Sequence, residues 1–167
     1  MPIVRLLTTC FMLAFSITGC GAMDTTATRN LSTPGQPFYQ ALYIQYAELF
    51  LRDVEEGNTV SAKIYHNMSL LTASGVAVPA PVIPEEEIPV DRLKTVQAGN
   101  HEFDNIPRTR AISSTPEVYA RAQAMLDCWI EELSQNVDAG DIAACQQAFE
   151  RAIAVLSAQK RHSPTSN

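Results

Sequence analysis

Cysteine offers the widest choice of chemistry in this sequence, and the chain contains four: Cys10, Cys20, Cys128 and Cys145. A pair of cysteine side chains can form a disulfide, ligate a metal ion or work as a redox pair. Cys128 and Cys145 lie on either side of the stretch 135–138, where a turn between two helices is expected. Which chemistry applies depends on the compartment, and therefore on the N-terminus of the chain.

The first residues have the layout of a secretion signal. One basic side chain, Arg5, precedes an apolar run from Leu6 to Ile17, and small residues follow before Cys20. A membrane-spanning helix would need about 20 consecutive apolar residues, and this run is shorter. The N-terminus therefore predicts export rather than a membrane-spanning helix.

The end of the apolar run resembles a known processing site. Ile17, Thr18, Gly19 and Cys20 follow the order aliphatic, small, small, cysteine, which resembles the lipobox of bacterial lipoproteins. The resemblance implies that residues 1–19 are removed and that Cys20 is acylated on its sulfur and on its new amino group. Two or more acyl chains give lasting membrane attachment, so we expect a lipid-anchored protein.

The residue after the cysteine favours the outer membrane, on its periplasmic side. Gly21 stands where an aspartate would resemble the inner-membrane retention signal of enteric bacteria. Because Arg5 is the only basic side chain of the leader, a simple secretory signal stays open as an alternative. The inner membrane also stays open.

Two of the four cysteines are predicted to form a disulfide. Cys10 is lost with the signal and Cys20 carries lipid. The midpoint between Cys128 and Cys145 falls inside the expected turn, so the two side chains lie opposite each other in an antiparallel helical hairpin. In an oxidising compartment such a pair is expected to be bonded.

The alternatives for this pair have less support. A structural zinc site needs four ligands, and the histidines that could complete one, His66, His101 and His162, are scattered along the chain. A redox pair is usually spaced as C-x-x-C. The sequence therefore predicts no metal site and no cofactor.

Composition points to one modest globular domain. The chain has 167 residues, of which 46% are hydrophobic and 18% charged, with a formal net charge of −6. Removing residues 1–19 takes away one basic residue, Arg5, and no acidic one, which leaves −7. Nucleic acid is therefore not expected as a partner, and neither are the phosphates of anionic lipid.

The predicted organisation has three parts after the signal. Residues 20–36 are a flexible tether, 37–160 a helical domain and 161–167 a polar tail. Apolar spacing and capping residues predict five helices. They cover Pro37 to Glu56, Thr59 to about Gly75, Pro89 to Asp104, a helix from Pro116 with Thr115 as N-cap, and a last helix capped by Asp138. No strand is predicted, so the class is all-α: a bundle of about five amphipathic helices with a disulfide-stapled C-terminal hairpin.

Apolar periodicity also predicts which face of each helix is buried. For the second helix this face carries Val60, Ile64, Met68 and Leu71. For the last helix it carries Ile142, Cys145, Phe149, Ala152, Ile153 and Leu156. The proline-rich segment that follows is expected to run extended over the surface, with the glutamates at 85–87 as a solvated loop. The stretch 105–114 is expected to be a polar linker.

No hydrolase elbow, phosphate-binding loop or paired histidine and carboxylate is present in the sequence. We assign the carboxylates to helix caps and solvated faces, so no catalytic residue is predicted.

The segment from Ala120 to Ile153 resembles the end of an N-terminal helical region found ahead of OmpA-like domains in Gram-negative envelope proteins. The matching pieces are Ala120-Arg121-Ala122-Gln123, Asp127-Cys128-Trp129 with Glu131, and Asp141-Ile142 with Ala144-Cys145 and Phe149. The resemblance implies an all-helical, cysteine-bridged envelope module. Because the sequence ends soon after the last helix, direct binding to peptidoglycan is not expected.

These observations lead to a ranked expectation about function. The first is a non-enzymatic outer-membrane lipoprotein that serves as a structural or interaction module, with another envelope protein as its partner. The alternative is a helical binding module for a peptide, protein or small ligand, working through a groove beside the proline-rich segment. An enzyme ranks third.

Overall fold

The computed structural model describes residues 37–79, 81–135 and 138–162. This part of the chain consists of six α-helices and the segments that join them, without a strand. The helices are α1 (Pro37–Glu56), α2 (Thr59–Ala73), α3 (Val90–Asp104), α4 (Arg108–Ser114), α5 (Pro116–Gln135) and α6 (Ala139–His162). The predicted all-α bundle is confirmed. No helix in these ranges is long and apolar enough to cross a membrane.

The central element of the bundle is α5. It packs against α1, α3, α4 and α6, while α2 packs against α1. A helix with neighbours on several sides must bury side chains all around its axis, and twelve residues of α5 are buried, including the polar Gln123, Asp127 and Glu132. This central position explains why carboxylates of α5 are enclosed by the fold.

The hairpin of α1 and α2 turns where the sequence predicts. Gly57 takes the left-handed conformation, with φ +77°, which a glycine adopts without steric penalty. The cap of α2 differs from the prediction, because Asn58 rather than Thr59 is the N-cap: its side-chain oxygen accepts a hydrogen bond from the Ser61 amide. An Asn oxygen at this position pairs an amide of the first turn that has no partner within the helix.

The predicted buried face of α2 is wrong. Its buried residues are mostly small or hydroxylated: Ser61, Ala62, Tyr65, Ser69, Thr72 and Ala73. Small side chains let α2 approach α1 closely, and two of the hydroxyls are paired within the helix. Ser69 Oγ donates to the carbonyl of His66 at 2.7 Å, and Thr72 Oγ1 to that of Ser69 at 2.9 Å. Pairing removes most of the penalty for burying a hydroxyl.

The proline-rich segment between α2 and α3 contains no helix in its described residues, as predicted, but it does not lie wholly on the surface. Val78 and Ile88 are buried in the core and fix the segment at both ends, whereas Val82 between them is 84% exposed.

The stretch predicted as a polar linker contains the short helix α4. Its one buried residue is Ala111, and seven residues are too few to show helical periodicity. Arg108 places its guanidinium over the rings of Phe38 and Tyr119, 5.5 and 5.9 Å from their centroids. This contact attaches α4 to α1 and α5.

The last helix continues to His162, two residues beyond the predicted end of the helical domain at 160. Its N-terminus is as expected, because Asp138 precedes the helix and its carboxylate accepts a hydrogen bond from the Gly140 amide at 2.6 Å. The side chains predicted to be buried in α6 are all buried: Ile142, Cys145, Phe149, Ala152, Ile153 and Leu156.

Gly99 allows α3 to pack closely against the disulfide hairpin. A Cβ atom at this position would lie 2.7 Å from Cζ3 of Trp129 and 3.1 Å from Cε1 of Phe149. Both rings are buried, so neither can move away easily. Glycine has a low helix propensity, but here only a residue without a Cβ atom fits the packing.

We expect Gly99→Ala to lower the free energy of unfolding by about 1 kcal/mol. Overpacking a core costs roughly 1–3 kcal/mol, which exceeds the gain of about 1 kcal/mol from better helix propensity. Urea denaturation followed by circular dichroism measures the difference. A more stable variant would show that α3 can move away from Trp129 and Phe149 at no cost in stability.

Candidate functional site

The disulfide joins α5 to α6. Cys128 and Cys145 are bonded, with Cα atoms 5.7 Å apart, and both are buried. The predicted disulfide-stapled hairpin is therefore present. The other predicted site residue, Cys20, lies outside the described residues, so its lipidation stays a prediction.

Replacing both bonded cysteines by alanine should lower the free energy of unfolding by about 3 kcal/mol. The bonded cysteines are 17 positions apart in the sequence. Closing a loop of about this length restricts the unfolded chain and stabilises the fold by about 3 kcal/mol. Denaturation with and without reductant measures the effect, because the reductant should bring the parent protein to the stability of the variant. If the reductant had no effect, the bond would not contribute to stability.

A charged cluster lies beside the disulfide. The Arg52 guanidinium on α1 donates to Asp53 Oδ1 at 2.7 Å and to Glu132 Oε1 at 2.6 Å. Its other terminal nitrogen lies 3.4 Å from the sulfur of Cys128 and 3.6 Å from that of Cys145. Arg52 Nε also lies 3.8 Å from Glu56 Oε2, so one arginine contacts three carboxylates and both sulfurs.

Burial raises the pKa of Asp53 and of Glu132, and the Arg52 guanidinium lowers both pKa values in part. The sulfurs and Glu132 are the group in the described part of the chain whose ligand atoms come within metal-binding distance of one another. The sulfurs are bonded to each other, and a guanidinium lies against them. This arrangement fits a structural staple rather than a metal site.

A buried acid lies further along α5. The Asp127 carboxylate accepts a hydrogen bond from the Tyr46 hydroxyl of α1 at 2.5 Å, and the Gln123 amide donates to the same hydroxyl at 3.5 Å. Burial raises the pKa of Asp127 from its ordinary 3.8 to about 7, and the hydrogen bond from Tyr46 works against this rise. Asp127 therefore titrates near neutral pH.

A groove separates α2 from α5 next to this acid. The two helices are bridged by side chains: Ser61 donates to Glu131 at 3.0 Å and Asn58 to Gln135 at 3.1 Å. Beside these bridges lies a cavity of about 120 Å³. We call it the α2–α5 groove; its lining residues are Ile64, Tyr65, Met68, Pro81, Val82, Asp127, Ile130 and Glu131.

The polar part of this groove is negative. Asp127 and Glu131 line it, and among the described residues no lysine, arginine or histidine does. The hydroxyl of Tyr65 is buried and has no hydrogen-bond partner among the residues that the structure describes. An unpaired buried hydroxyl beside two carboxylates provides acceptors for a ligand that donates hydrogen bonds.

An apolar stripe continues the groove along α2. Val60 is 65% exposed and Leu71 is 40% exposed, while Ile64 and Met68 between them are half-buried and line the groove. We call these four residues the α2 stripe. They are the face that helical periodicity predicts to be buried, and in the described part of the chain its two end residues, Val60 and Leu71, are exposed.

Wider clefts also lie among the residues that the structure describes, and two of them bear comparison with the groove. One, of about 410 Å³, has four carboxylates in its lining: Glu56, Glu132, Asp138 and Asp141. The other, of about 360 Å³, lies between α1, α5 and α6. Glu132 in the first is already paired with Arg52. Neither cleft combines an enclosed acid with an unpaired buried hydroxyl, as the α2–α5 groove does.

Sequence reasoning missed the residues of this groove, although it expected a groove beside the proline-rich segment. The sequence predicts that the carboxylates belong to helix caps and solvated faces, yet Asp127 and Glu132 are buried. One signal could have located the site: Gln123, Asp127 and Glu131 recur every four residues and so share one face of α5.

No protein-family model, curated protein or solved structure matches this chain. The resemblances to the lipobox and to the helical region ahead of OmpA-like domains therefore stay predictions from the sequence.

Proposed function

We propose that this protein is an outer-membrane lipoprotein, anchored through acylated Cys20, whose helical domain is a non-enzymatic structural or interaction module facing the periplasm. The observation that carries the interaction role is the α2 stripe, with Val60 and Leu71 exposed. Contiguous apolar residues on the surface mark sites of protein interaction more often than single ones do. The disulfide supports an oxidising compartment.

The anchor is tested by replacing Cys20. Cys20→Ser should leave an unlipidated precursor that no longer partitions into the detergent phase. The matched control is Cys10→Ser, which changes a cysteine inside the leader and should be processed normally. If Cys20→Ser still partitioned like the parent, the lipoprotein proposal would be wrong.

The interaction role is tested in crosslinked cell envelopes. A partner that uses the α2 stripe should be captured by the parent protein and lost with Val60→Lys. Val90→Lys is the control, because Val90 on α3 is 82% exposed and lies outside the stripe. A partner retained by Val60→Lys would use another surface.

The second candidate is a binding module for a small ligand, which the enclosed groove beside the proline-rich segment favours. Native mass spectrometry of the purified protein separates it from the first candidate. A bound metabolite, together with no envelope protein captured by the parent, would support the second candidate over the first.

A further inference from the structure

We propose that the α2–α5 groove binds an apolar segment of a partner protein that places a lysine side chain among Asp127, Glu131 and Tyr65. This inference rests on the proposed interaction role and names the chemistry of the partner.

The charge of the groove selects a cation. The groups at its polar end are two carboxylates and the unpaired Tyr65 hydroxyl. A lysine ammonium has three donors and no acceptor, which matches in number the two carboxylates and the hydroxyl. An anionic side chain would be repelled by both carboxylates and could donate no hydrogen bond to the Tyr65 hydroxyl.

The size of the groove suits one side chain rather than a drug-sized ligand. Its volume is about 120 Å³, the share of about four water molecules at roughly 30 Å³ each. Pockets for drug-sized ligands occupy about 300–1,000 Å³. The long apolar stem of lysine suits the walls, which carry Ile64, Met68 and Ile130.

The surface around the groove indicates that the lysine belongs to a peptide chain. The α2 stripe extends on both sides of the groove, and Val82 of the proline-rich segment, at 84% exposure, forms its opposite edge. A partner with apolar residues flanking the lysine covers these side chains and removes their surface from water. A free amine would fill the groove and leave the stripe uncovered.

The pH dependence of binding follows from the groups around Asp127. These are Tyr46 on α1, Tyr65 on α2 and Glu131 on α5, and the proline-rich segment adds no titratable group to the lining. Without a bound cation, burial holds the pKa of Asp127 near 7. An ammonium beside it favours the ionised form and lowers that pKa, so lysine binding should strengthen as pH rises through about 7.

The probe is the peptide acetyl-Ala-Leu-Lys-Leu-Ala-amide, compared with a twin that has norleucine in place of lysine. Each peptide is titrated into the full-length protein in nanodiscs. The methionine methyl groups of the protein are labelled with ¹³C. The Met68 methyl reports the groove, and the Met125 methyl on α5, which does not line it, is the internal control. At pH 8 we expect the lysine peptide to bind roughly tenfold more tightly, as for a hydrogen bond to a charged group.

Two pairs of variants separate the charge from the apolar contact. Asp127→Asn should remove the preference for lysine, whereas Asp91→Asn, which makes the same charge change at an exposed position outside the groove, should keep it. Val60→Ser should weaken both peptides equally, and Val90→Ser neither. Between pH 8 and pH 5.5 the preference of the parent protein should fall to about twofold or less, since Asp127 is then protonated.

Three outcomes would overturn the inference: equal binding of the two peptides at pH 8, a lysine preference that survives Asp127→Asn, or no saturable shift at Met68. Self-association through the stripe, seen by light scattering and abolished by Val60→Ser, would instead identify a second copy of this chain as the occupant. Each outcome is independent of the Cys20→Ser result, so the inference can fail while the anchored interaction module stands.

Discussion

Replacing Arg52 by methionine should lower the free energy of unfolding by about 3 kcal/mol at pH 8. Arg52 is the cation that pairs with Asp53 and Glu132, whose side chains are 0% and 6% exposed. Removing one partner of a buried ion pair costs roughly 3–5 kcal/mol, because an uncompensated charge remains buried. The lower end applies here, since the Arg52 side chain is itself 26% exposed.

The loss should shrink at acidic pH. Burial already raises the pKa of Asp53 and Glu132, and loss of the guanidinium that lowers them would raise both further. An acid whose pKa is raised in the folded state lowers stability progressively as pH rises from its unfolded pKa to its folded pKa, and it costs nothing below its unfolded pKa. Urea denaturation at a series of pH values from 8 to 4 measures this change.

Two controls separate the charge of Arg52 from its shape. Arg52→Lys keeps the charge but cannot reach both carboxylates with one planar group, so it should lose an intermediate amount. Combining Arg52→Met with Asp53→Asn and Glu132→Gln removes all three charges and should recover much of the stability. If Arg52→Met alone lost less than about 1 kcal/mol at pH 8, the two carboxylates would be solvated in its absence.

The helices that pack mostly apolar surface could be predicted from the sequence, and in α6 the buried face too. In α6, periodicity identified the buried residues correctly, and the spacing of Cys128 and Cys145 about the turn identified the disulfide. In these elements the hydrophobic effect dominates, so the buried apolar residues recur along the sequence at helical spacing.

The features that sequence could not predict depend on tertiary position. Ser69 and Thr72 are buried because their hydroxyls pair inside α2 and their size allows close packing, which turns the α2 stripe outward. Asp127 is buried because α5 lies at the centre of the bundle. Neither fact is visible in one helix taken alone, and both shape the groove.

Asp127→Asn should raise the free energy of unfolding by about 2–4 kcal/mol above pH 7 and leave it nearly unchanged near pH 4. In the folded protein the pKa of Asp127 is about 7, raised by burial from 3.8. A shift of one unit corresponds to about 1.4 kcal/mol. The parent protein therefore loses stability as pH rises from about 4 to about 7, and the asparagine variant lacks this loss.

The Tyr46 hydroxyl keeps an acceptor in this variant, because the side-chain oxygen of asparagine can replace the carboxylate that now accepts its hydrogen bond at 2.5 Å. Denaturation of parent and variant at several pH values between 4 and 8 measures the difference, with Asp91→Asn as the exposed control. A difference that stayed constant across this range would mean that Asp127 is ionised at a normal pKa.

Stability and binding should respond to this substitution in opposite directions. A buried acid that lowers stability above pH 7 is unfavourable for the fold alone, since an amide of the same shape would keep the contact with Tyr46. A lysine that enters the groove supplies the missing cation and turns the same carboxylate into a binding group. If Asp127→Asn stabilised the protein and also kept the lysine preference, the acid would have no part in binding, and the groove would act through its apolar residues alone.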